Sequence, residues 1–286
     1  MAYIIQGMRD LLAKGENLPT LPAAVFQLHK VLDDEMAGPA QVAAIIEGDP
    51  ALTGRLLRAA NAAAFNRGDR IGSVAAAVRR LGIDQIRTIC LVLAVVRAFP
   101  NRSTGLDHQL FWLHSATVGM MSEYLWNRFG SARDVPSADI YTAGLLHDVG
   151  LLILEQFFQR DFQEARHEQL ETGHRLWQCE ESHLGMDHGA VGGLLLGRWS
   201  LPAYISEAVT NHHHPEQAEP EYRDISRIVY AAEAICTEQG VALLDEGGAD
   251  CPSEEILAEL GCPEEETAKI LDQVPIMVER AREFLN

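Results

Sequence analysis

With 286 residues and 47% apolar side chains, the chain can bury a full core, as one large domain or two small ones. Its formal charge of −18, from 41 acidic against 23 basic residues, argues against non-specific binding to nucleic acid or to an anionic membrane, because phosphate contact requires clustered Lys and Arg. The five cysteines (Cys90, Cys179, Cys236, Cys251, Cys262) form no CxxC pair, which suits a reducing cytoplasm. Met1 to Leu12 lacks the basic and apolar blocks of a signal peptide, and the most apolar run, Ile89 to Val96, is too short to span a bilayer. A cytoplasmic, soluble protein with neither nucleic acid nor membrane as partner is the expectation.

In chain order the punctuation is that of helices, with β-branched alternation scarce. Asp49-Pro50 sets an N-cap before a first-turn proline, and Ala51, Leu52, Leu56, Leu57, Ala59 and Ala60 then form a wide apolar face. Arg55, Arg58, Arg67, Arg70, Arg79 and Arg80, close together in this region, read as solvated helix faces. Ser73 caps a helix through Val74, Val78 and Leu81 that Gly82 stops, and Ile83 to Phe99 is a more buried helix ended by Pro100. Leu106 to Phe129 reads as a long helix closed by Gly130, and Ser137 opens a short one, with a turn at Gly144 before His147-Asp148. A further helix begins after Trp199-Ser200-Leu201-Pro202 and precedes His212-His213-His214. From Ser253 the tail reads as two helices broken at Gly261-Cys262-Pro263.

Histidine is distributed unevenly. Residues 1–100 hold only His29, and all the others fall between 101 and 240, which suggests two helical subdomains joined near Pro100 to Gly105. The organisation expected is a helical lobe over 1–100, a bundle carrying the His/Asp cluster over 101–240, and a helical tail over 241–286 that packs on the bundle.

The chemistry centres on the pair His147–Asp148 in an apolar setting. Burying both is costly unless something uses both side chains, and a transition metal held by imidazole nitrogen and carboxylate oxygen removes that cost. His114, mid-helix in Phe111-Trp112-Leu113-His114-Ser115, and His188, followed by small residues that permit close helix approach, are further candidates, with His212, His213 and the acid Glu233 in an apolar stripe. His and carboxylate side chains from several helices are how bundle cores build metal sites, and N/O donors without Cys favour Fe, Mn, Zn or Ni. A hydrogen-bonded polar core without metal is the alternative. His29, His108, His167, His174 and His183 read as surface or core fillers.

These segments, taken in order, resemble the HDOD family, the HD-related output domains of bacterial signalling. The carriers are Leu18-Pro19-Thr20-Leu21-Pro22, Asp49-Pro50-Ala51-Leu52, Leu56-Leu57-Arg58-Ala59-Ala60-Asn61, Ile71-Gly72-Ser73-Val74, Leu81-Gly82, the His114 segment, Ala143 to Gly150, His188 to Gly192, Trp199 to Pro202 and His212 to Pro215. The resemblance implies an all-α, two-lobed helical fold, with an N-terminal HDOD-specific lobe and a C-terminal HD-type bundle. It implies one or two transition-metal ions (Fe, Mn or Zn) on His114, His147, Asp148, His188, His212, His213 and, where a late Asp is usual, Glu233. It also implies a non-catalytic output module that works through a protein partner or an upstream signalling protein, with a homodimer as a further option. Phosphodiesterase relatives carry Lys three residues after the Asp, where this chain has Leu151, and their GYP signature is replaced by His214-Pro215-Glu216-Gln217-Ala218. The competing expectation is a metal-dependent phosphohydrolase acting on a nucleotide or cyclic dinucleotide, with Asp148 as its essential residue.

Overall fold

The computed structural model describes residues 18–20, 27–28, 38–61, 70–100, 105–131, 134–244 and 251–285. His29, Arg67, Leu21-Pro22 and most of the expected connector after Pro100 lie outside the described residues. Every regular element described is a helix, so the chain is all-α. It divides into two compact units, one through residues 19–101 and the other through 102–278, with 279–286 grouped with the first.

In the first unit, α1 (Pro39–Glu47), α2 (Pro50–Asn61), α3 (Val74–Leu81) and α4 (Ile83–Ala98) close around one apolar core that includes Val42, Ile46, Leu56, Val78 and Ile86. The start of α2 is built as its sequence predicts: Asp49 Oδ1 accepts from the Ala51 and Leu52 amides, each at 3.0 Å. Ala51 itself is exposed, because the first turn of α2 rotates it away from the face that buries Leu52, Leu56, Ala59 and Ala60. Asn61 ends α2 by bonding the chain at Ile71: its amide donates to the Ile71 carbonyl and its oxygen accepts from the Ile71 N–H, both at 2.8 Å. Ser73 caps α3 through the Ala76 amide, and Gly82, at φ +83°, separates α3 from α4 in a conformation that favours glycine. Arg58, Arg70, Arg79 and Arg80 are exposed.

The second unit is a bundle built on α5 (His108–Phe129). Around it come α6 (Ser137–Leu146), α7 (Val149–Phe157), α8 (Gln159–Thr172), α9 (Leu176–Leu184), α10 (His188–Arg198), α11 (Ala203–Thr210) and α12 (Arg223–Glu238), followed by α13 (Ser253–Glu259), α14 (Glu264–Leu271) and the first residues of α15 (Gln273–Leu285), which from residue 279 groups with the first unit. Three boundaries differ from the sequence reading, each for a local reason. α5 starts at His108, not Leu106, because Asp107 caps it by accepting from the Gln109 and Leu110 amides, while the Leu106 amide is drawn off to buried Glu155. Gly144 is inside α6, and the chain turns at His147-Asp148 instead. The tail holds three helices, because Pro275 lacks the N–H that would bond the Leu271 carbonyl, so a second break falls at Asp272. Ser137–Phe157, the one stretch among the described residues long and apolar enough to cross a membrane, has 89% of its most apolar window buried inside the protein.

Close backbone approach places the elements that carry the histidines. A Cβ on Gly150 in α7 would lie 1.9 Å from the His188 carbonyl oxygen, and one on Gly193 in α10 would lie 1.8 Å from Thr210 Oγ1. Glycine at these points lets α7, α10 and α11 nest at a spacing no other residue permits. Gly150→Ala therefore meets rigid backbone. It is expected to cost about 3 kcal/mol, the upper end of ordinary overpacking penalties, read as a lowered midpoint of urea unfolding.

Candidate metal centre

His147 and Asp148 form the tight turn between α6 and α7. Asp148 occupies the N-cap position of α7, yet its side chain makes no capping bond. The carboxylate faces the bundle interior instead, beside the positive end of α7, while His147 sits at the negative end of α6. Asp148 Oδ2 lies 3.3 Å from His147 Nε2 and 3.7 Å from His114 Nε2. Its other oxygen, Oδ1, lies 3.2 Å from His188 Nε2 and 3.7 Å from His212 Nε2. One buried carboxylate thus faces two sets of imidazoles, one with each oxygen.

The far side of each ring is occupied by an acceptor. His114 Nδ1 donates to the Val241 carbonyl at 2.5 Å, His147 Nδ1 to Gly144 at 2.7 Å and His212 Nδ1 to Val209 at 2.6 Å. His188 Nδ1 donates to Glu180 Oε2 at 2.6 Å, and the same oxygen takes the His188 amide at 2.8 Å. Carbonyl and carboxylate oxygens only accept, so each Nδ1 carries a proton, and the Nε2 lone pairs of the neutral rings point at the centre. A ring proton held by an oxygen behind it is the arrangement that orients histidines on a metal.

All the residues singled out in the sequence come together here. The ligand atoms of His114, His147 and Asp148 lie within 4.8 Å of one another, as do those of Asp148, His212 and Glu233, and those of His188, His212 and His213. His213 Nε2 is 2.8 Å from His188 Nε2. His214 turns away, against Trp177 and Glu216. Of the histidines read as fillers, His108 is buried against Glu155 at 3.2 Å, His183 pairs with Glu168 at 2.6 Å, and His167 and His174 are exposed.

The residues fit a metal. His212 Nε2 is buried without a hydrogen-bond partner, and it faces a carboxylate that offers it no proton. The His114 and His147 Nε2 atoms meet at 3.3 Å, where two lone pairs repel unless a cation lies between them. With no metal, protons take that role in part. Burial alone would lower the His147 pKa, but the adjacent Asp148 carboxylate overrides it and lifts it to about 9. Burial also works against charge on His188, yet Glu180 and Asp148 raise its pKa well above the usual imidazole value. Burial, with neighbouring imidazoles, lowers His114 to about 4 and puts His212 and His213 well below their usual range. Against its own burial, Asp148 is held ionised by His147 and His188. The two oxygens of Asp148 and the two imidazole sets could hold one or two ions of the N/O-liganded transition-metal class.

Several contributors escape sequence reasoning. Glu180 lies among ordinary acidic residues and acquires meaning only when α9 packs beside His188. The Val241 carbonyl is 127 residues from the ring that it orients. Arg227 lines a cleft of about 240 Å³ with His213, Tyr230, Glu216 and Glu259. Arg227, on α12 six residues before Glu233, shares that cleft with His213, one of the candidate ligands. Leu151 is a fully apolar core residue at 1% exposure.

An all-α bundle that gathers histidines around the Asp of a His-Asp turn is an HD-type helical module. The HDOD domain model matches residues 18–215, and the chain belongs to that family. An uncharacterized protein of Treponema pallidum (strain Nichols) is 23% identical over 217 residues, covering 76% of this chain and 42% of that protein. The chain therefore spans less than half the length of that relative. Among solved structures, an HDOD domain protein with unknown function from Geobacter sulfurreducens is 26% identical with a TM-score of 0.74, covering 96% of this chain and 98% of that one. A candidate phosphohydrolase from Shewanella amazonensis SB2B is 25% identical with a TM-score of 0.77, covering 96% and 97%. A candidate signal transduction protein from Marinobacter aquaeolei VT8, at 22% identity and a TM-score of 0.79 over 94% of this chain and 60% of that one, shares the fold.

Two measurements test the centre. Because His147 is protonated below about pH 9 and must lose its proton to bind metal, uptake at pH 7 is expected to release protons, and affinity to fall as pH drops. Calorimetric titrations in buffers of different ionisation enthalpy read that release directly. Glu180→Gln keeps every ligand but weakens the acceptor behind His188, and should lower metal affinity about 10–100-fold in competition with a chromogenic chelator.

Proposed function

We propose that this chain is a non-catalytic output module of bacterial signal transduction, in which the histidine-rich centre holds a transition metal of the Fe, Mn or Zn class as a structural or ligand-sensing element. The observation that carries this reading is Leu151. The candidate ligand side chains lie together, but an apolar side chain buried in the core stands where the phosphodiesterase relatives place a cation, and charge developing on a phosphate in the transition state would lack that help. The family match and the shared fold of a signalling protein support an output role. The partner in this reading is a protein, either an upstream signalling protein or a second copy of the chain.

One observation favours a second reading, a phosphohydrolase acting on a nucleotide or cyclic dinucleotide. Arg227 reaches the cleft that His213 borders, where a phosphate bound at the centre could meet it. Under this reading Asp148 is the essential residue.

Elemental mass spectrometry on untagged protein is expected to find one or two equivalents of metal that His147→Ala loses. The same samples, supplied with Mn or Fe, are then assayed against cyclic dinucleotides and nucleoside phosphates. No turnover above that of Asp148→Ala supports the output module. Turnover abolished by Asp148→Ala and reduced by Arg227→Ala would replace it with the enzyme, and absence of metal from both samples would remove the metal from either reading.

A further inference from the structure

Outside the centre, α8 and α9 form an antiparallel hairpin closed by Gly173 in the left-handed conformation, at φ +72°. Each helix presents a pair of metal-competent side chains four residues apart and therefore on one face: Glu164 and Glu168 on α8, Cys179 and His183 on α9. His174 comes from the connection between them, its amide bonded to Thr172 Oγ1 at 3.2 Å. The ligand atoms of Glu168, His174 and Cys179 lie within 4.8 Å of one another. His183 Nε2 holds Glu168 Oε2 at 2.6 Å, while its Nδ1 lies 4.0 Å from Glu164. That bond fixes the Glu168 carboxylate and leaves its Oε1 facing His174 Nδ1 at 4.0 Å. A carboxylate with one oxygen held by an imidazole and the other aimed at a second donor is oriented as a ligand. Cys179 is a free, buried thiol on the inner side of the hairpin.

We infer that Glu168, His174 and Cys179 form a second metal site, for a borderline-soft divalent cation of the zinc class, with His183 positioning Glu168. Thiolate, imidazole and carboxylate together select Zn²⁺ or Co²⁺ over Mg²⁺ or Ca²⁺. The separations are longer than the edge of a filled tetrahedron, which is about 3.3–3.8 Å for bonds of ~2.0–2.3 Å. His174 is exposed, so its ring is free to rotate toward Glu168 and Cys179, while the Glu168–Cys179 separation closes only by adjustment of those two side chains. On binding, the Cys179 thiol gives up its proton to solvent and the thiolate donates an electron pair to the metal. Three protein donors, with His174 on the solvent side, leave the fourth place to water, the ligand count of an open zinc site.

Sulfur separates this site from the histidine centre, whose donors are nitrogen and oxygen alone. The full chain is titrated with Co²⁺ while the near-ultraviolet sulfur-to-cobalt charge-transfer band is followed. The band is expected in the native protein and in His147→Ala, and absent from Cys179→Ser. In His174→Ala, a change at an exposed connection that leaves the core untouched, it should appear only at cobalt concentrations at least about tenfold higher, since even a partner behind a ligand is worth that much. No band in the native chain, a band that survives Cys179→Ser, or one lost in His147→Ala overturns the assignment. Because the His147 and Cys179 variants address different donors, failure here leaves the reading of the main centre to its own test.

Discussion

A single buried carboxylate organises the bundle. Asp148 lies inside the protein with imidazole nitrogens against both oxygens, and a charge in that position is tolerable only where cations meet it. The surrounding architecture supplies the condition. Each facing ring has its other nitrogen committed to an oxygen, so the inward nitrogens have nothing to bind but a proton or a metal. Protons on His147 and His188 satisfy part of the demand, yet His212 Nε2 stays without a partner. A metal meets all of it at once, because one ion accepts several lone pairs where a proton accepts at most two.

Meeting that demand requires α7, α10 and α11 to lie close, and this is why glycine recurs where it does. His188 enters from the start of α10, with its carbonyl against Gly150 of α7, and the Gly193 face of α10 admits Thr210 at the end of α11, two residues before His212. The same residues that permit close packing therefore set the reach of the ligands. His212 and His213 lie beyond the helix, in the turn after α11, so consecutive residues can serve different neighbours: His212 faces Asp148 and His213 faces His188. On a regular helix, successive side chains would diverge by about 100°.

Much of this was legible in the sequence because it is local. Caps at Asp49 and Ser73, the stop at Gly82 and the helix after Pro202 depend on a few neighbouring residues, and they form where the side-chain chemistry places them. The residues of the centre were legible for another reason: His and Asp in apolar surroundings are too costly to be incidental. Boundaries that depend on competition were not. Asp107 takes the start of α5 because Glu155, 49 residues away from Leu106, claims the preceding amide. The oxygens behind the rings were equally hidden. A carbonyl has no side-chain identity to read, and Glu180 differs from the other acids of α9 only in what packs against it.

The position of Glu180 also bears on how the two clusters of α9 relate. Cys179 and Glu180 are adjacent on the helix, about 100° apart in direction, so one points into the α8–α9 hairpin and the other to His188. Burial pushes the Glu180 pKa up, and His188 pulls it back toward the ionised form. If Glu180 takes a proton, the acceptor that keeps His188 Nε2 directed inward is weakened. A short helix that carries both Glu180 and Cys179 has little freedom to move either alone. Any contact that shifts α9 therefore acts on His188 through a hydrogen bond of 2.6 Å.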